Sequence, residues 1–305
     1  VLMLLVTAMG LGQPSSSLSG TFYQGYASSV NGGGFFYHSP QPDVTTSMLI
    51  RADDATQYIE WKTESLPAAV NEPIVRFIWM FGIDANPESY QWKLYMNDTC
   101  LLTFTNPVLS EKSLWVVDGR EGASLTFRPT LLDKYNDPMG YAILAVPNKF
   151  LKPGVAQVIR VVGVSAGKQT WYMTFEAPVK ESVDAIQEEA IIRGEGQNYR
   201  AVLFQFVHLG EAESSEIRID PGIVKQFTLE PGFNSMRILL PDTNVEIEQN
   251  AIIRLGHEKP FQMPFRTKPV RHWTIYLVQH THTDIGYTRP QTEILPEHLR
   301  YIDYA

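Results

Sequence analysis

The sequence predicts a mainly β fold, and three observations carry that prediction. Short apolar runs recur roughly every ten residues, which is the spacing of strands in a sandwich. Gly 21 and Pro 20 are scattered along the chain rather than clustered, which suits many turns and few long helices. Only the last stretch departs from this pattern. There an apolar run, 274–278, is followed by a helical stripe, as at the start of an α/β domain. The expected order is a β-sandwich, a smaller β domain, and the opening of an α/β barrel. The predicted boundaries are 1–20, 21–180, 181–266 and 267–305.

The first ten residues, VLMLLVTAMG, resemble the apolar core of a signal peptide. Ala8 and Gly10 have the spacing of a cleavage site, and the run is too short to span a membrane. Residues 1–20 are therefore read as a signal-peptide remnant and linker. An exported protein is expected: periplasmic, cell-surface or secreted.

Candidate strands of the sandwich are 47–51, 58–63, 74–83, 92–96, 101–105, 114–117, 124–127, 141–146, 157–164 and 171–175. Turn-formers such as Pro87, Asn97-Asp98, Asp118-Gly119 and Pro153-Gly154 separate them. Trp61, Trp79, Trp92, Trp115 and Trp171 lie inside these strand patterns, where core positions are expected rather than an exposed sugar platform. Asn97-Asp98-Thr99 is formally a glycosylation sequon. Cys100 is the single cysteine, so no internal disulfide exists, and a buried inert thiol is expected.

A polar linker is read at 179–184. A second set of strands follows at 201–208, 215–219, 224–229, 235–240 and 251–255. Asp220-Pro221-Gly222 and Glu230-Pro231-Gly232 both read as hairpin-type turns. A further linker at 264–269 leads to the apolar strand 274–278. With 44% hydrophobic residues, the chain can build two small cores. A net charge of −8 without dense Lys/Arg runs argues against a nucleic-acid surface. It is compatible with a neutral sugar as partner, and the oligomeric state is left open.

His280-Thr281-His282-Thr283-Asp284-Ile285-Gly286-Tyr287 holds the densest chemistry in the chain. Alternation along an extended backbone lets His280, His282 and Asp284 share one side. Imidazole nitrogen and carboxylate oxygen suit Zn²⁺ or a related divalent metal. Gly286 permits a sharp turn, and the Tyr287 ring can stack on a sugar. An ordinary strand end, with histidines bonded to backbone and an Asp-x-Gly turn, is the competing reading.

As a unit, residues 278–287 resemble the opening of the catalytic domain of glycoside hydrolase family 38, the α-mannosidases. The likeness covers about 270–305. It implies that His282 and Asp284 bind one catalytic zinc, and that Tyr287 lies against the substrate sugar. His280 matches a position that orients its neighbours by hydrogen bonds. Tyr287 and Ile285 stand where most members have Trp and Pro. Retaining hydrolysis needs two carboxyl groups about 5–5.5 Å apart, and no residue here is assigned to either. The expectation is thus the front part of a zinc-dependent retaining glycosidase acting on α-mannosides, itself inactive. Trp92–Asn97 and Ala145–Gly154 also resemble galactose-binding-like jelly rolls, a likeness of fold alone.

Two alternatives stay open. One is a non-catalytic carbohydrate-binding or structural β-sandwich protein. The other is a different metal-dependent hydrolase, of which the amidohydrolase type also opens with His-x-His. The metallo-β-lactamase pattern needs a His at position 285, where Ile285 stands. After the motif, Thr288 to Gln291 has capping-box spacing. Pro296 is expected to start a helix striped by Leu295, Leu299 and Ile302.

Overall fold

The computed structural model describes residues 22–304, apart from 42, 53–55, 86–87, 89, 107–114, 165–168, 195, 272–273, 275 and 277–288. Contacts divide the chain into two units, one ending at Lys268 and one running from Pro269 to Ala305. In the first unit the strands are, in order, β1 (Phe22–Gln24), β2 (Ser28–Asn31), β3 (Gly33–Phe36), β4 (Thr46–Arg51), β5 (Tyr58–Ser65), β6 (Ile74–Ile83), β7 (Gln91–Met96), β8 (Thr99–Thr105), β9 (Trp115–Asp118), β10 (Ser124–Leu132), β11 (Pro138–Pro147), β12 (Ala156–Gly163) and β13 (Trp171–Phe175). They continue with β14 (Ser182–Arg193), β15 (Asn198–His208), β16 (Glu213–Ile219), β17 (Ile223–Leu229), β18 (Gly232–Pro241), β19 (Ile247–Arg254) and β20 (Phe261–Thr267). The mainly β fold is as the sequence predicts.

The first thirteen strands form two facing sheets. One runs β3-β4-β13-β6-β11-β10-β9, with β1 added in parallel to β6. The other runs β2-β5-β12-β7-β8. Strict alternation builds the second sheet: Ile59, Trp61 and Thr63 of β5 point inward, as do Trp92, Leu94 and Met96 of β7. Trp61, Trp79 and Trp92 are fully buried, and Trp115 and Trp171 are half-buried. Burying each large ring contributes on the order of 2–3 kcal/mol.

The runs at β6 and β11 do not alternate, and the reason is that both faces of their sheet are covered. Phe77, Trp79, Phe81, Ala142 and Leu144 fill the sandwich core. Ile78, Met80, Met139, Tyr141 and Ile143 point the other way into a second cluster. Val207, Leu209 and Phe233 of the following module cover that outer face. Tyr141 stacks on Phe233 with ring centroids 5.8 Å apart. A Cβ at Gly232 would come within 3.1 Å of Ile143 Cδ1, so the modules meet at glycine distance.

The second module sets a three-stranded sheet, β14-β15-β18, against a four-stranded one, β17-β16-β19-β20. Phe204, Phe206, Ile217, Ile238 and Ile253 are among the side chains that fill its core. Several expectations change here. The polar segment at 182–193 is an edge strand, half-exposed and paired only with β15, which is why it lacks an apolar stripe. The supposed linker at 264–269 begins inside β20, where Pro264 is tolerated because β20 is an edge strand paired only with β19. Asp220-Pro221-Gly222 does join a hairpin, β16 to β17. Glu230-Pro231-Gly232 instead carries the chain from one sheet to the other. Cys100 is half-buried rather than buried.

In the second unit, α1 spans Gln291–Tyr304 with Pro296 inside it. The expected start at Pro296 is therefore wrong. Proline removes one backbone hydrogen bond and strains the preceding turn, but here it does not end the helix. Leu295, Leu299 and Ile302 are exposed, and Ile294 is the buried apolar residue. Arg289 grips Glu297 through two parallel bonds of 3.0 and 2.7 Å.

Candidate functional site

His280, His282, Asp284 and Tyr287 lie outside the described residues. Among the described residues, no group of three or more His, Cys, Asp or Glu is arranged to hold a metal. The first unit ends upstream of the motif, at Lys268. Lys268 N donates to Gln187 Oε1 at 2.6 Å, and Gln187 Nε2 donates to Lys268 O at 2.9 Å. Arg200 Nη1 donates to the same carbonyl at 2.6 Å. The chain thus leaves the β-sandwich from a fixed backbone position, set by strands β14 and β15.

Arg200 is fully buried, and its fork ties β15 to two other segments. Besides Lys268, it bonds Asp242 Oδ1 at 2.9 Å, Thr243 Oγ1 at 3.2 Å and the Thr243 carbonyl. Sequence reasoning missed it, although an arginine entering the apolar run 201–207 is itself a signal of a paired buried charge.

Shifted carboxyl groups mark candidate chemistry, and Asp137 is such a group. Burial pushes its carboxyl up to about 6, helped by the charges of Asp133 and Asp84 and opposed by the Ala85 N–H bond. Tyr37 donates its hydroxyl to Asp133, and burial together with that bond raises the pKa of the phenol. Asp133 Oδ1 also accepts the Tyr135 and Asp137 amides at 2.7 and 2.9 Å. Asp137 accepts the Ala85 amide at 2.7 Å. These acceptors are committed to backbone, which makes the cluster a lock on the loop between β10 and β11.

A folded-state pKa above the unfolded value of 3.8 means that stability is fully present below 3.8 and is lost as pH rises through about 6. Asp137→Asn is expected to flatten stability over that window and to add about 2 kcal/mol at pH 7.5. Urea titrations at several pH values check it. Unchanged pH dependence in the variant contradicts the assignment.

The sequon asparagine is also structural. Asn97 and Asp98 adopt φ of 48° and 69° at the turn between β7 and β8. Asn97 Nδ2 donates to Gln157 Oε1 at 2.7 Å, and its Oδ1 accepts Val158 N at 3.1 Å. The amide nitrogen that a glycan would need is turned inward.

No family model matches the chain, and no curated protein matches it. Solved structures similar to it include a protein from Bacteroides fragilis assigned as a β-galactosidase, at 12% identity and TM-score 0.28, covering 78% of this chain and 39% of that one. A GH2 β-galacturonidase from Eisenbergiella tayi aligns at 11% identity and TM-score 0.30, covering 70% and 35%. A β-glucuronidase from Ruminococcus gnavus aligns at 11% and 0.27, also covering 70% and 35%. The chain spans about two fifths or less of their length. Superpositions at these scores decide neither family nor activity. None of the three is described as an α-mannosidase.

Proposed function

We propose that this chain supplies the β scaffold and the opening metal-binding segment of an exported, zinc-dependent retaining glycosidase of the α-mannosidase type. The observation that supports this reading is the segment from His280 to Tyr287, with its donor types at alternating positions and its Gly-aromatic close. The donor chemistry fits: an imidazole at His282 and a carboxylate at Asp284 are two of the four donors that zinc takes. Bound there, zinc supplies a Lewis acid for oxygen ligands. Tyr287 offers a ring face to the sugar, and His280 orients its neighbours. The net charge of −8 and the absence of basic runs agree with a neutral carbohydrate substrate. Among the described residues no helix is long and apolar enough to cross a membrane.

Competition against a chromophoric zinc chelator tests the metal. Zinc affinity is expected to collapse in His282→Ala and in Asp284→Ala, and to fall about 10–100-fold in His280→Ala. Unchanged affinity in the first two variants would falsify the assignment. In a protein carrying this chain, hydrolysis of an aryl α-mannoside should be lost in the same variants. A second reading, a non-catalytic sugar-binding or structural β protein, draws support from the two sandwiches, each of which closes its own core. Saccharide binding without zinc binding or hydrolysis would favour it.

A further inference from the structure

The second module has a cavity of about 670 Å³ at one end of its sandwich. That volume lies inside the roughly 300–1,000 Å³ range of small-molecule sites. Four separate turns and strand ends build it: the start of β15, the β16–β17 hairpin, the end of β18 and the start of β19. Tyr199, Leu239 and Ile247 give it an apolar wall. Gln197, Asp220 and Asn250 place amide and carboxylate groups around that wall.

The aromatic ring is held in place. A Cβ at Gly194 would come within 2.5 Å of Tyr199 Cε2, so the glycine backbone lies against the ring. Gln197 Nε2 donates to the Tyr199 hydroxyl at 2.8 Å. A fixed ring loses little conformational entropy when a ligand packs on it. Asp220 stands exposed at the lip, and no Lys or Arg is among the lining residues. The one other carboxylate of the lining, Glu248, is engaged by Arg266 at 2.5 Å.

This chemistry selects a ligand class. A ring face takes the C–H face of a pyranose, and planar amides and a carboxylate take its hydroxyl groups. No cation lines the cleft, and the guanidinium beside it, that of Arg266, is already paired with Glu248, so a phosphate, sulfate or uronate is disfavoured. We propose that it binds a neutral saccharide unit. The site uses no residue beyond Asn250, so it shares none with the His280–Tyr287 motif and goes beyond the glycosidase reading. The two readings share only the class of ligand.

Saturation-transfer NMR on the 305-residue chain, with the methyl glycosides of mannose, galactose and glucose as probes and glucuronate as the anionic comparator, tests the proposal. At least one neutral glycoside is expected to receive saturation, with a millimolar dissociation constant, while glucuronate does not. Tyr199→Ala should weaken that binding about tenfold or more, equivalent to about 1.4 kcal/mol. Leu239→Trp, at an exposed position, should block the cleft while leaving its polar groups in place. Thermal melts establish that both variants are folded. Zinc chelation should leave binding unchanged, which separates failure of the metal site from failure of this one. Silence of all three neutral probes overturns the proposal. So does binding that survives in both cleft variants, or glucuronate binding as strong as that of the neutral sugars.

Discussion

Arg200→Ala is expected to lower the unfolding free energy by about 3–5 kcal/mol, the range for breaking a buried ion pair by removing one partner. The side chain is fully buried and holds Asp242, Thr243 and the carbonyl of Lys268 together. Alanine leaves the Asp242 carboxylate, 16% exposed, without its cation. It also removes the donor to the Thr243 carbonyl and leaves the Lys268 carbonyl with Gln187 Nε2. Arg200→Lys should recover little, because one ammonium cannot reproduce a planar fork that reaches both Asp242-Thr243 and Lys268. Arg200→Met combined with Asp242→Leu should recover much of the loss, since matched apolar replacement of a buried pair is often close to neutral. Urea unfolding of the four proteins reads these values. Amide exchange adds a local signal: the Lys268 N–H, bonded to Gln187, should exchange faster in Arg200→Ala. A loss under about 1 kcal/mol would show that the network is idle.

Arg200 also shows where sequence reading stopped. Strands with buried alternation or continuous apolar runs were legible: β6 (Ile74–Ile83) and β13 (Trp171–Phe175) agree residue for residue with expectation. The missed strands lack that signal. β2 and β3 are exposed throughout, and Ser-Ser-Val-Asn and Gly-Gly-Phe-Phe carry no alternation. β14 is a half-exposed edge, so its Glu188-Glu189 pair resembled a linker. Pro296 reads as a helix start, but a single lost bond does not end the helix that already runs through it. Of the candidate chemistry, the His280–Tyr287 motif was visible because its residues are contiguous. The Tyr199 cleft was not, because its groups converge from turns far apart in sequence, and only the pairing of β15 with β18 brings Tyr199 opposite Pro241.

Gln157→Glu should lower stability by about 3 kcal/mol although it changes one atom type, because the amide works in both directions. The residue is fully buried. Its Oε1 accepts from Asn97 Nδ2 at 2.7 Å and from Lys152 N at 2.8 Å. Its Nε2 donates to the carbonyls of Lys152 and Val155, both at 2.7 Å. One side chain thus fixes the Pro153-Gly154 turn against the Asn97-Asp98 hairpin. A carboxylate keeps the two accepted bonds but sets an anion against two carbonyl oxygens. Repulsion and burial both raise its pKa. The loss should therefore be largest at neutral pH and shrink as pH falls, when a protonated carboxyl can again donate one bond. Gln157→Leu removes both directions, so it should be destabilised about equally at every pH. Urea midpoints measured from acid to neutral pH separate the two variants. If Gln157→Glu unfolds with no pH dependence relative to the wild type, the two donated bonds do not stabilise the turn.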